Sequence, residues 1–138
     1  MDTGLRTAIY NRALTITGMD ADHVWPVKIP EEDTAGDVIT FDEDYLSIKE
    51  LTQTSDFRSF TEQFENSYVQ FRTWGKLISS LETLTKNLRT IFDDSEGNYT
   101  IANYRVKTVE FQFSRDIPGE GEDVIGILTQ YKFLLEKI

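Results

Sequence analysis

The sequence has no cysteine, one histidine, three prolines and few positive charges, and each shortage removes a class of function. Without cysteine there is no disulfide, no thiolate nucleophile and no cysteine-based zinc or iron–sulfur site, although the compartment stays open. His23 is the single histidine, so a nucleophile–imidazole pair would rest on it alone, and one chain cannot assemble a multi-histidine metal centre. No apolar stretch reaches the roughly 18 residues of a membrane span, and residues 1–10 lack a basic flank followed by an apolar run; a secretory or membrane-spanning product is not expected. Fourteen Lys and Arg against 24 Asp and Glu leave a net charge of −10 and a pI near 4.5. The field around such a chain opposes sequence-independent binding to phosphate backbones.

What is present suffices for one folded unit. The 138 residues match the size of a single domain, and 39% apolar with 12% aromatic content provides a core. Leu5, Ala8, Ile9, Ala13 and Ile16 recur at helical spacing behind a cap at Asp2 or Thr3, with Gly18 as the stop. Residues 23–30 carry two prolines, which lack the donor a central strand needs, so this segment reads as an edge strand or extended arm. Val38, Ile39 and Phe41 predict a strand that resumes at Tyr45, Leu46 and Ile48, as a hairpin or one bent strand. Residues 51–65 read as a long polar connection with Phe57, Phe60 and Phe64 as anchors, its tip mobile until bound.

Ser67, Val69 and Phe71 alternate with Tyr68, Gln70 and Arg72, the mark of a half-buried strand. From Trp74 to Phe92 the apolar residues follow the three-four rhythm, predicting one long amphipathic helix capped by Thr73 and ended by the turn after Asp93. In residues 99–115 the apolar phase changes between Val106 and Val109, which predicts a bulge near Lys107. A Gly-rich acidic turn then leads to the alternation of Ile125, Ile127, Thr129, Tyr131, Phe133 and Leu135, so the last two strands form a hairpin. The expected fold is α+β: a mainly antiparallel sheet of about four to five strands, with an N-terminal helix and one long amphipathic helix packed on it.

Chemistry is sparse. Acidic groups cluster at Asp42, Glu43 and Asp44, at Asp93, Asp94 and Glu96, and at Glu120, Glu122 and Asp123, but none has the spacing of a calcium loop, and they read as solvated turns. No phosphate-cradling glycine loop precedes a helix. His23 reads as a surface or packing residue, and no catalytic, cofactor or metal residue is expected. Trp74 falls on the helix stripe and reads as core, whereas Trp25 reads equally as an interface anchor or as packing.

The order of motifs resembles the tail completion, or tail terminator, proteins of long-tailed bacteriophages and prophages over nearly the whole chain. The resemblance rests on Leu5-Arg6-Thr7-Ala8-Ile9-Tyr10; on Val24-Trp25-Pro26-Val27 with Pro30; on Phe64-Glu65-Asn66-Ser67-Tyr68-Val69-Gln70-Phe71 running into the helix; and on the closing pair around Val106 to Phe111 and Tyr131 to Phe133. It implies a non-enzymatic virion protein, assembled in the host cytoplasm into a ring, commonly six-fold. The ring would cap the head-proximal end of the tail tube, stop its growth and receive the head–tail connector, with DNA crossing the lumen and neither cofactor nor membrane involved. A related neck protein remains an alternative, as does a small acidic enzyme or binding domain with a pocket between sheet and helix. For ring contacts, Trp25 and Ile29 are expected as arm anchors, Arg72 and Arg105 as rim cations meeting Asp42 and Asp44 of a neighbour, and Asp56 and Arg58 as partner-facing residues of the long connection.

Overall fold

The computed structural model describes residues 3–51, 54–58, 63–119 and 123–138, with side chains for all of these except 3, 54–58 and 63. Helix α1 (Thr3–Ala13) is followed by strands β1 (Val24–Pro26), β2 (Tyr45–Glu50), β3 (Thr54–Arg58) and β4 (Gln63–Gly75). Helix α2 (Ile78–Phe92), a short 3-10 turn (Glu96–Asn98) and strands β5 (Tyr104–Pro118) and β6 (Ile125–Lys137) complete the chain. The strands form one six-stranded sheet in the order β1-β2-β4-β6-β5, and β3 pairs with the start of β4. All pairings are antiparallel except β1 with β2, which is parallel. The fold is therefore α+β with a mixed sheet and two helices.

Both helices cover one face of the sheet. Leu5, Ile9 and Ala13 of α1 and Leu81, Leu84, Leu88 and Phe92 of α2 are buried against Leu46, Val69, Phe71, Tyr131, Phe133 and Leu135. Aromatic rings fill the middle: Phe71 lies 4.5 Å from Phe92 and 5.8 Å from Tyr131 between ring centres, the latter edge-on, a geometry that suits ring quadrupoles. The Tyr131 hydroxyl donates to Asp93 Oδ1 at 2.5 Å, tying the end of α2 to the sheet, and burial pushes its pKa up. Gly18 stands at φ +89 in the turns after α1, where a residue without Cβ fits best.

Three expectations need correction. The helix starts at Ile78, not Trp74: β4 keeps its alternation through Thr73, Trp74 and Gly75 because β2 and β6 pair with it on both sides. Thr73 is buried in that strand and its hydroxyl donates to the Ile127 carbonyl at 3.3 Å, so it caps nothing, while Leu77 is solvent-exposed. Short apolar runs fit both periods, and here pairing decides. Val38, Ile39 and Phe41 form no strand; Glu32 and Val38 make an isolated bridge, and Phe41 has φ +62. The long connection holds strand β3, paired with β4, and its end at Phe64 and Glu65 already belongs to β4; of the segment 51–63 expected to be mobile, residues 52–53 and 59–62 lie outside the described residues. The bulge near Lys107 is present as a register shift between Val106 and Thr108, and a second shift between Phe111 and Phe113 turns the phase again.

Candidate functional site

The face of the sheet away from the helices carries the other half of each alternation. Its centre is a row of glutamines from three strands: Gln70 Nε2 donates to Gln130 Oε1 at 3.0 Å, and Gln130 Nε2 to Gln112 Oε1 at 2.8 Å. Arg72 Nη2 donates to Gln70 Oε1 at 2.8 Å at one end of this row. Amide side chains both donate and accept, so such a ladder satisfies itself without charge.

Beside the ladder, the loop after β1 arches toward the sheet and leaves a pocket of about 130 Å³ lined by Val27, Lys28, Ile29, Phe41, Ser47, Arg72, Trp74 and Val124. The Trp74 wall is fixed at two points. Its indole N–H donates to Ser47 Oγ at 3.1 Å, and its six-membered ring lies across Gly126, where a Cβ would come within 2.8 Å of the ring. Val27 and Phe41 line the pocket with left-handed backbone, φ +67 and +62. For a β-branched or bulky side chain that conformation is strained by roughly 1 to 3 kcal/mol. The site is thus walled by apolar groups and two strained residues, and its charged members, Lys28 and Arg72, are both cations.

Among the described residues neither cation forms an ion pair. Arg72 Nε is buried with no hydrogen-bond partner. Arg72 nonetheless lines the pocket, and charge-assisted hydrogen bonds to a carboxylate are the strongest a guanidinium can form.

On the helix side, an open groove of about 500 Å³ runs between α2 and the loops at His23 and Glu43. His23 Nδ1 lies 2.6 Å from Asp20 Oδ1 and Nε2 lies 2.7 Å from Glu43 Oε2. Burial pulls the imidazole pKa down, but the bonds and charges of Glu43 and Asp20 outweigh it and the net direction is upward. The bond to His23 holds the Asp20 carboxyl below its usual range. The neighbouring acids serve as staples: Asp42 binds Lys76 at 2.9 Å, and Asp44 accepts from Ser80 in the first turn of α2. Among the described residues no group of three or more His, Asp and Glu side chains is placed to hold a metal ion.

The structure brings Ile29 and Arg72 into one pocket and sends the other expected interface residues elsewhere. Trp25 is half-buried on β1, its indole N–H bonded to the Asp22 carbonyl at 2.8 Å. Arg105 lies 3.5 Å from Glu136, and Asp42 and Asp44 are engaged within the chain as above. Asp56 and Arg58 fall on β3, and their side chains lie outside the described residues. Sequence reasoning did not find Lys28, Val27, Phe41 or the role of Trp74, because a pocket between a loop and a sheet face depends on pairing and on backbone sign. The Asp20-to-His23 spacing was the readable signal for the histidine clamp, while Glu43 is distant in sequence.

No protein-family model matches the sequence, and no curated protein matches it. Among solved structures, a chain from the virion of a native gene transfer agent (GTA) particle is similar, with a TM-score of 0.70 at 12% identity, covering 96% of this chain and 95% of that one. At that identity the likeness is one of fold, and it runs from end to end of both chains.

Proposed function

We propose that the chain is a structural subunit of a phage-like particle, and within that class a tail terminator. In this reading copies close into a ring, six in the commonest form, on the head-proximal end of the tail tube. The ring stops tube growth, receives the connector of the head, and lets DNA pass. The observation that carries the proposal is the end-to-end fold likeness to a chain of a gene transfer agent virion, which agrees with the motif order of the sequence. The net charge of −10 supports it, since an acidic wall gains nothing by counterion release from passing DNA. Its work in this reading is assembly, with no catalytic step.

The test is electron microscopy of the purified chain mixed with tail tubes from particles lacking it. Density capping one end of each tube is the expected result. Tubes that stay bare, or density bound along their sides, would sink the proposal, and binding to connector assemblies without tubes would point to a neck protein.

A further inference from the structure

We propose that the pocket at Arg72 receives the Asp37–Val38 tip of a second copy of this chain, and that this is the contact by which neighbouring subunits join. The inference deepens the ring reading and rests on it. The pocket defines its occupant: apolar walls from Ile29, Phe41 and Trp74 take an aliphatic side chain, while the cations Lys28 and Arg72 that line it take a carboxylate beside it. The required knob is therefore an exposed acid next to an exposed apolar residue.

Five large apolar side chains are exposed among the described residues: Val27, Val38, Leu77, Ile78 and Ile138. Of these, Val38 alone has an acidic neighbour in the chain, Asp37. Val38 is 69% exposed, and the Asp37 carboxylate has no ion pair among the described residues. The tip is also rigid. Asp33 Oδ1 accepts the backbone N–H groups of Ala35 at 2.9 Å and Asp37 at 3.0 Å, Gly36 turns at φ +85, and Asp33 N–H bonds the Asp37 carbonyl. Little conformational entropy is lost when such a preformed tip docks.

Tip and pocket are different residues, so the contact can repeat head to tail around a closing rotation, as the ring reading requires. The acids first expected to meet Arg72, Asp42 and Asp44, are held by Lys76 and Ser80; Asp37 takes their place.

The absence of cysteine makes the test clean. Single variants Val27→Cys, at the pocket mouth, and Val38→Cys, at the tip, are prepared separately, mixed and oxidised gently. The inference expects a disulfide-linked dimer in the mixture well above the level of either variant alone. Asp37→Lys, exposed and needed in its turn only through its backbone, is expected to weaken self-association at least about tenfold in sedimentation equilibrium while the melting temperature stays unchanged. If oligomers form and cap tubes but the mixture does not cross-link, or if Asp37→Lys associates like the parent chain, this contact is wrong while the ring reading stands. If the chain stays monomeric when concentrated and in the presence of tubes, both fall together.

Discussion

His23 is held by a carboxylate at each ring nitrogen, so both nitrogens donate only when the ring is an imidazolium. The clamp joins the turn after α1, through Asp20, to the loop before β2, through Glu43. Its folded pKa is raised above 6.5, so the stability it supplies is complete below that unfolded value and is lost as pH climbs through the folded one. Comparing the melting temperature of the parent with that of His23→Ala across pH should show a gap that is widest below about pH 6 and shrinks under alkaline conditions. A gap that widens with pH would mean the ring is neutral in the native state. A second residue-scale test concerns the Trp74 wall. Gly126→Ala places a methyl within 2.8 Å of the indole, and such overpacking should cost about 1 to 3 kcal/mol in denaturant unfolding.

At the scale of elements, α2 is the principal lid of the core. Leu81 is fully buried, and Leu81→Ala should destabilise by about 2 to 5 kcal/mol, read as a fall in the urea midpoint. An unchanged midpoint would contradict the packing of this helix on the sheet. The elements legible from sequence were those whose pattern is local. The rhythm of Leu5, Ile9 and Ala13, the alternation around Val69 and Phe71, and the phase change at Lys107 each follow from side chains meeting one face of one element. The start of α2 was not legible, because Trp74, Leu77 and Ile78 fit a helical stripe until β2 and β6 claim Trp74 for a strand. Nor was the pocket: it brings Lys28 from a loop, Arg72 from β4 and Val124 from the approach to β6, and its backbone reversals at Val27 and Phe41 occur at residues no turn rule would select.

In the ring reading, charge governs how whole molecules associate. Six copies at −10 each carry −60, so long-range repulsion opposes a ring at low salt. Screening at about 0.15 M, where the Debye length is about 8 Å, weakens that repulsion far more than it would weaken the proposed half-buried contact at Arg72. Raising ionic strength should therefore increase the oligomer fraction in analytical ultracentrifugation; a steady decrease would show that surface ion pairs, rather than apolar docking, hold the copies together.

The borders of the sheet have a consequence for how the chain behaves in a crowded cell. On one side the border is the three-residue β1, ending in a proline, and the five-residue β3, which pairs only with β4 and has a register shift between Ser55 and Phe57; on the other it is the fifteen-residue β5, broken by register shifts at Val106/Thr108 and Phe111/Phe113. A long, flat border would template endless strand-on-strand stacking, and kinks at these intervals deny a newcomer the unbroken row of partners that fibril growth requires. The borders of the sheet thus work against polymerisation of the chain through its own backbone.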